Sequence, residues 1–379
     1  MIAVRRWAAL AVAVPVIAVG AVVGEMSPGH TSTVGGVTTD RVGGDTRYAT
    51  AALAAERAFP SGSSVVVLAS GTNFPDALSA SGLAGALKAP LLITDSATLS
   101  PETLACLQVL RATKIYVVGG SIAVGPAVLS ALTANGFTIV KQYAGLDRYD
   151  TSAQIAEDMA TRSLIGTLGG VRTAFVVDGL NFPDGLAAGA PAWKFHYPVI
   201  VTDPHTLQPA TSSALAVAGI GQVIIVGGQG AVSSTVEQGI NGRHVTTWKR
   251  FAGANRFDTA VQLAYYEIDN PGSVPPPGFT PAFDPTNGLL ITGLNFPDAL
   301  TASAYAGVLG WPILFDDPLP PETATYFFNV HPTTITAVGS TNAVPDGDLS
   351  QAQMQSAKGL VAPTTTTQPP IPPTTQSLG

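Results

Sequence analysis

The motif "GTNFPDALSA" at 71–80 returns twice in this chain, as "GLNFPDGLAA" at 179–188 and "GLNFPDALTA" at 293–302. Its asparagines, Asn73, Asn181 and Asn295, lie 108 and 114 residues apart. Solenoid repeats have periods of about 20 to 50 residues, whereas this spacing suits a small domain. The sequence therefore predicts a chain built from three homologous modules.

Three further motifs recur around the first one in constant order. A Gly-x-Asp-Arg-Tyr type of motif precedes it, and a proline-led apolar run and then a Gly-Gly motif follow it. The Asp-Arg-Tyr motifs are "GGDTRYATA" at 43–51, "AGLDRYDTS" at 144–152 and "AGANRFDTA" at 252–260. The Gly-Gly motifs are "IYVVGG" at 115–120, "IIVGGQ" at 224–229 and the weaker "TAVGST" at 336–341. We therefore predict modules at 41–137, 138–245 and 246–350.

Two segments outside the modules carry their own signals. Arg5 and Arg6 precede an unbroken apolar run from Trp7 to Gly24, which predicts a secretory signal peptide over 1–24. As a helix the run would reach about 27 Å, so it would act as a membrane anchor if it were retained. The Thr/Pro-rich stretch at 363–379 predicts a disordered, extended tail. We expect a secreted protein displayed at the cell wall or cell surface.

Composition argues against several classes of function. The chain has 18 Lys and Arg against 25 Asp and Glu, and this negative balance argues against nucleic acid as a partner. Cys106 is the sole cysteine, which excludes an intramolecular disulfide and a thiolate zinc site. The five histidines occupy no common repeat position. We expect no enzyme activity, no metal and no cofactor, and a monomeric chain.

The apolar pattern predicts an α/β fold. Short β-branched runs such as "SSVVVLAS", "PLLITD" and "KIYVVGG" alternate with helix-length stretches such as "LSPETLACLQVLRA". Alternation of this kind predicts mainly parallel sheets with helices on their faces. Because every recurring motif follows the carboxyl end of a strand, we expect all of them at one edge of each sheet, where open α/β sheets bind ligands.

Helix-capping residues account for much of the recurring motifs. Asn73 is predicted to cap a helix whose third residue is Asp76, and Asp147 and Asn255 are predicted to cap in the same way. The arginines Arg47, Arg148 and Arg256 then fall in the first helical turn, where the helix dipole disfavours a cation by about 0.3 to 1 kcal/mol. Two interpretations stay open. Each arginine pairs with an Asn-Phe-Pro-Asp aspartate of its own or a neighbouring module, or it binds an anionic ligand.

These four ordered motifs, repeated three times behind a signal peptide, resemble the cell wall binding repeat of the second type, found on Gram-positive surfaces. The resemblance covers nearly all of 41–345. It implies three Rossmann-like or toprim-like modules packed about a pseudo-threefold axis, and non-covalent attachment to an anionic secondary cell-wall polymer. Departures are Gly339-Ser340 in place of Gly-Gly, Gly185 in place of alanine, and an insertion at 270–288.

The resemblance also supplies candidate polymer-binding residues. They comprise the three arginines, the Asn and Asp of the Asn-Phe-Pro-Asp motifs and the proline-led strands. The set is Arg47, Arg148, Arg256, Asn73, Asp76, Asn181, Asp184, Asn295, Asp298, Pro90, Leu91, Leu92, Ile93, Pro198, Val199, Ile200, Val201, Pro312, Ile313, Leu314 and Phe315. The alternative function is an exported receptor that holds a small sugar or anion between modules. The sequence leaves open which polymer is bound and whether a divalent cation bridges it to Asp95, Asp203 or Asp316.

Overall fold

The computed structural model describes residues 31–181, 183–268 and 282–360. The predicted signal peptide, the predicted tail and most of the insertion at 270–288 lie outside these ranges. Within them, no helix combines the length and the apolar character that a membrane crossing requires.

Strands and helices alternate along the chain, as the apolar pattern predicts. An N-terminal hairpin and the first repeat contain β1 Ser32–Val34, β2 Val37–Val42, α1 Arg47–Ala58, β3 Val65–Ser70, α2 Phe74–Leu78, α3 Ala80–Ala86, β4 Leu91–Thr94, α4 Pro101–Val109, β5 Lys114–Val118 and α5 Pro126–Ala134. The second repeat contains β6 Thr138–Tyr143, α6 Arg148–Thr161, β7 Thr167–Leu168, β8 Val171–Asp178, α7 Pro183–Ala187, α8 Gly189–Phe195, β9 Val199–Thr202, α9 Pro209–Val217, β10 Gln222–Val226 and α10 Ser234–Asn241. The third contains β11 Thr246–Phe251, α11 Arg256–Glu267, β12 Asn287–Thr292, α12 Phe296–Leu309, β13 Ile313–Asp316, α13 Pro321–Val330, β14 Thr334–Val338 and α14 Asp346–Leu360.

Across the described ranges the strands form three sheets, one for each module. The parallel strand orders are β4-β3-β5-β6, β9-β8-β10-β11 and β13-β12-β14-β2. Short antiparallel partners, β7 and β1, pair with β8 and β2. The prediction of mainly parallel α/β modules is therefore confirmed, and we call the modules first, second and third in this order.

Each sheet takes its last parallel strand from outside its own sequence repeat. Strand β6 begins the second repeat but completes the first sheet, and β11 begins the third repeat but completes the second sheet. The third sheet is completed by β2, near the other end of the chain. Because of this offset, the sequence repeats and the sheets do not share boundaries.

Helices α3, α8 and α12 contact one another pairwise and join the modules. Their small residues allow this approach: a Cβ on Gly82 would collide with the Tyr197 carbonyl, and one on Gly85 with the Trp193 carbonyl. The small side chains that follow each Asn-Phe-Pro-Asp motif were expected to let a helix lie close to its sheet. In the structure they also serve contacts between modules, which the sequence did not indicate.

The helices that carry the arginines form the second contact between modules. Helix α6 packs on β9 of its own module and on α2 and α3 of the first module. Helix α11 likewise contacts β13 of its own module and α7 of the second module. Helix α1 contacts β4 of its own module and α12 of the third module. Each of these helices therefore lies between its own sheet and a neighbouring module, and the third module meets the first.

Candidate functional site

The predicted caps of the arginine-bearing helices are present. At α6, the Asp147 side chain accepts a hydrogen bond from the Asp150 amide at 2.9 Å, and the Asp150 carboxylate accepts one from the Leu146 amide at 3.0 Å. At α11, Asn255 and Asp258 repeat this arrangement. Thr46 caps α1 by accepting from the Ala49 amide at 3.0 Å. These bonds fix the first helical turn, in which each arginine lies.

The capping predicted for Asn73 is wrong in its chemistry. Asn73 and Asn295 occupy the N-cap positions of α2 and α12, but neither side chain makes a cap hydrogen bond. In the first module the hydroxyl of Ser70, the last residue of β3, instead accepts from the amides of Thr72 at 3.2 Å and Asn73 at 3.1 Å. The Ser70 side chain therefore holds the loop through two backbone N–H groups, and Asn73 itself is exposed.

Each of the three arginines is held by a backbone carbonyl of its own module. One N–H, Nη1, donates to the carbonyl of the glycine that begins the Gly-x-Asn-Phe-Pro-Asp loop. The distances are 2.7 Å for Arg47 to Gly71, 2.5 Å for Arg148 to Gly179 and 2.8 Å for Arg256 to Gly293. This bond offsets the unfavourable position near the helix N-terminus. It also fixes the guanidinium beside the Gly-x-Asn-Phe-Pro-Asp loop.

The direct arginine–aspartate ion pair that we weighed from the sequence is absent. Among the described residues, the ion pairs involve other side chains, and none joins an arginine of this set to a carboxylate. The Nε and Nη2 groups of the three arginines have no hydrogen-bond partner within the same ranges. The guanidinium groups are exposed at Arg47 and half-buried at Arg148 and Arg256. Each therefore has donors available to a ligand.

The aspartates of the Asn-Phe-Pro-Asp motifs lie at the junctions between modules. Burial raises the pKa of Asp76, against a hydrogen bond from Thr151 and the charge of Arg148, which lower it. Thr151 and Arg148 belong to α6, in the next module. The same relation joins Asp184 to Thr259 and Arg256, and Asp298 to Arg47 and Thr50. The arginine and the acid are thus near one another across a junction, but burial dominates over their attraction.

The Gly-Gly turn lies against the same aspartates. Its first glycine has a φ of 118° at Gly119, 123° at Gly227 and 126° at Gly339, which side chains rarely adopt. A Cβ there would lie 3.3, 2.9 and 3.0 Å from the Oδ2 atoms of Asp76, Asp184 and Asp298. Around the second position the space is open: a Cβ on Gly228 would meet nothing within 4 Å. Ser340 therefore fits, and the third module keeps the turn despite its departure from Gly-Gly.

Sequence reasoning missed the side chains that clamp this turn from the last strand of each sheet. Gln142 donates to the Gly119 carbonyl at 2.9 Å, Arg250 to that of Gly227 at 2.8 Å, and Arg41 to that of Gly339 at 2.9 Å. The three share the penultimate position of the strand that completes each sheet, but they do not share a residue type. A search for identical motifs could not find them.

The proline-led strands lie in the core. Pro90, Pro198 and Pro312 are buried, and the nine residues that follow them in β4, β9 and β13 are at most 3% exposed. Each strand is at the edge of its parallel sheet, where α1, α6 or α11 packs against it. None of the side chains for which we predicted polymer contact in these strands is exposed.

Strand pairing corrects the set of equivalent acids that we expected after the proline-led strands. Thr94 pairs with Ser70, Thr202 with Asp178 and Asp316 with Thr292, so Asp316 is equivalent to the two threonines. Asp317, not Asp316, is the counterpart of Asp95 and Asp203. The Asp95 carboxylate accepts from the amides of Ala97 and Thr98, which lower its pKa, and Asp203 makes the equivalent bonds. These two acids support their own loops.

In the part of the chain that the structure describes, no three His, Cys, Asp or Glu side chains lie close enough together to hold a metal ion. Cys106 is a buried thiol, and burial raises its pKa. A thiol in that state is a poor nucleophile.

Comparisons with known proteins agree with this repeated geometry. The family model described as Cell wall binding domain 2 (CWB2) matches residues 41–129, 142–237 and 250–348. The chain belongs to this family. The three matches coincide with the recurring motifs, so the resemblance drawn from the sequence is confirmed, and with it cell wall binding as the broad function and the cell wall or surface as the location.

Two curated relatives from Bacillus subtilis (strain 168) match part of the chain. "N-acetylmuramoyl-L-alanine amidase LytC" is 32% identical over 223 residues, which are 59% of this chain and 42% of that protein. "Amidase enhancer" is 31% identical over 225 residues, which are 59% of this chain and 29% of that protein. The match thus spans less than half of either relative.

Solved structures of Clostridium difficile proteins share the fold. Cwp8 matches 84% of this chain and 51% of its own, with a TM-score of 0.69 and 24% identity. Cwp6 matches 83% of this chain and 47% of its own, with a TM-score of 0.70 and 22% identity. At this level of identity the likeness shows the three-module α/β fold.

Proposed function

We propose that this chain is a non-catalytic protein of the cell surface that binds an anionic secondary cell-wall polymer without a covalent bond, using all three modules. One observation carries the proposal. At the carboxyl edge of each sheet, a guanidinium is fixed by one N–H to a loop glycine and leaves Nε and Nη2 unfilled within the described ranges. Arginine in this state matches the paired oxygens of a phosphate or carboxylate.

The exposed groups beside each arginine complete the proposed polymer-binding edge. Asn73, Asn181 and Asn295 are exposed on the neighbouring loop, where their amides offer donors and acceptors to sugar hydroxyls. The half-buried aspartates Asp76, Asp184 and Asp298 are assigned a supporting role, because their carboxylates occupy the space beside the first glycine of the Gly-Gly turn at the junction. The proline-led strands support the edge from the core.

The net charge of the chain is compatible with this local binding. The formal charge is −7, which repels an anionic polymer over long distances. At physiological salt, charges separated by more than about 8 Å are largely screened. Contacts between the polymer and the three arginines are shorter than that, so the local attraction outweighs the repulsion from the net charge.

Absence of turnover is part of the proposal. The recurring edge carries arginine, asparagine and glycine, with no nucleophile and base placed together at equivalent positions of the three motifs. The match covers 42% of the amidase named among the relatives, and we propose that the matched modules lack its activity. Incubation with purified peptidoglycan should release no new amines or reducing ends; release that disappears on unfolding would contradict the proposal.

We further propose that the three modules are related by a pseudo-threefold axis and act as one monomeric, multivalent binder after export. The pairwise contacts of α3, α8 and α12 and the three equivalent junctions support this arrangement. Three weak sites on one rigid body gain affinity for a long chain through effective concentration.

Affinity as a function of polymer length separates this proposal from the alternative of a small-molecule receptor. Three linked sites should bind long purified polymer about 10² to 10⁴ times more tightly than fragments too short to reach two modules. Isothermal titration calorimetry on a size-fractionated polymer measures the ratio. Equal affinity for short fragments, with one site per chain, would favour the receptor.

A further inference from the structure

The arginine-bearing edge of the second module differs from the other two in its exposed apolar side chains. Leu146, two residues before Arg148, is fully exposed. Leu180, which follows the glycine that Arg148 binds, is 48% exposed. Each leucine therefore lies within two residues of one partner of the hydrogen bond between Arg148 and Gly179.

The other two edges lack this pair of leucines. The equivalent positions are Asp45 and Thr72 in the first module and Ala254 and Leu294 in the third. The edge of the first module is therefore polar at both positions, and the edge of the third has a large aliphatic side chain at only one of them.

Carboxylates fix the backbone of both exposed leucines. The Leu146 amide donates to Oδ2 of Asp150 at 3.0 Å, and the Leu180 amide donates to Oδ1 of Asp178 at 2.7 Å. Single exposed leucines are common on protein surfaces. Here two leucines with fixed backbones lie beside an arginine whose Nε and Nη2 are unfilled within the described ranges. This combination is typical of a binding surface.

Asp178, the last residue of β8, also orients the asparagine of its loop. It is 2% exposed, and its Oδ2 accepts a hydrogen bond from Nδ2 of Asn181 at 3.3 Å. Strand pairing places Ser70 and Thr292 at the same position in the other modules. In the described ranges neither hydroxyl bonds to the asparagine side chain of its loop. The Oδ1 of Asn181 has no partner in those ranges either, so it remains an acceptor for a ligand.

The carboxylates around Arg148 bind their own segments of the chain. Asp147, Asp178 and Asp203 lie near Tyr149, in the first turn of α6. Each accepts a hydrogen bond from a nearby backbone amide, and none forms an ion pair with Arg148 among the described residues. The guanidinium therefore keeps its free donors, and the remaining carboxylate oxygens can accept from sugar hydroxyls.

A glutamate that binds the helix cap beside the other two arginines is replaced in the second module. Glu102 accepts from the Thr46 side chain at 2.7 Å, and Glu322 accepts from the Asn255 side chain at 2.9 Å. Both are the second residue of the helix that follows the proline-led strand, and Ala210 has this position in α9. Because alanine cannot make this bond, the cap of α6 is not closed from α9 in this way.

We propose that the second-module edge contains a subsite for an N-acetylated sugar that lies next to an anionic group of the polymer. The acetamido methyl group contacts Leu146 and Leu180, and the acetamido N–H donates to Oδ1 of Asn181. The anionic group binds the free Nε and Nη2 of Arg148. This subsite rests on the proposed function and adds to it the class of sugar. The three edges are therefore unequal, and the second recognises more than charge.

Two forms of the polymer that differ by one methyl group in each amide test the subsite. Anionic polymer purified from Gram-positive walls is N-deacetylated and divided; one half is re-N-acetylated and the other is N-formylated, so both keep a neutral amide. In isothermal titration calorimetry the full exported chain should bind the N-acetyl form about four times more tightly, the effect of burying one methyl group. Equal affinity for the two forms, or tight binding of an anionic polymer that has no N-acetyl sugar, overturns the proposal.

Two double variants locate the recognition of the methyl group. Leu146→Ala with Leu180→Ala should bind both forms equally and more weakly than the wild type, because Arg148 is retained. Val109→Ala with Val217→Ala changes two valines that are 60% and 63% exposed at the last residues of α4 and α9, and it should keep the wild-type preference. A preference that persists in the leucine variant also overturns the proposal. Failure of the wild-type chain to bind either form would instead contradict polymer binding itself, and the subsite with it.

Discussion

Replacing Phe315 with alanine should lower the free energy of unfolding by about 3 to 5 kcal/mol. The ring is fully buried in β13 and belongs to the hydrophobic core, so its removal leaves a cavity there. Urea unfolding followed by circular dichroism measures the change. This prediction treats the proline-led strand as core.

A matched control lies in the same module. Leu294 precedes Asn295 and is 57% exposed, so Leu294→Ala should change stability by no more than about 0.5 kcal/mol. If Phe315→Ala unfolds like the wild-type chain but no longer binds cell walls, the strand is a contact surface and its assignment to the core is wrong.

Replacing Asp316 with threonine should stabilise the protein at pH 8 by about 2 to 4 kcal/mol and change little at pH 4. In the folded state the pKa of Asp316 is raised to about 7, above the ordinary value of 3.8. Wild-type stability attributable to this group is therefore highest below the unfolded pKa and falls as pH rises through about 7. Threonine removes the titration and can hydrogen-bond as Thr94 does.

Denaturant unfolding of both proteins at several pH values measures this difference. Asp45→Asn, which changes an exposed acid in the loop before α1, should follow the wild-type profile and serves as the control. Parallel pH profiles for wild type and Asp316→Thr would contradict the prediction and would indicate that Asp316 stays ionised in the folded chain.

The sequence predicted the module count, the α/β class and the caps of α6 and α11, because these depend on local patterns. The Asp-x-x-Asp and Asn-x-x-Asp spacings of the caps act within a few residues of chain, and the module count follows from motifs that recur in constant order. Pairing of Asp76 with elements of the next module depends on packing between modules. Because the motifs are nearly identical in all three modules, the sequence could not show which module supplies the arginine-bearing helix that lies near each aspartate.

Two other features depended on strand pairing. Nothing in the composition of residues 37–42 indicates that β2 joins β14 at the far end of the chain, because that contact is set by closure of the third sheet. The burial of the proline-led strands was visible in their apolar composition. A motif that recurs for packing and one that recurs for binding have the same appearance in a sequence.

Sedimentation with purified Gram-positive cell walls tests the central claim of polymer binding most directly. The full exported chain should sediment with untreated walls and stay in the supernatant after chemical removal of their anionic polymers. A variant with Arg47, Arg148 and Arg256 all changed to alanine should lose sedimentation while remaining folded by circular dichroism. Undiminished sedimentation with stripped walls, or with the triple variant, would contradict binding of an anionic polymer by the arginine-bearing edges.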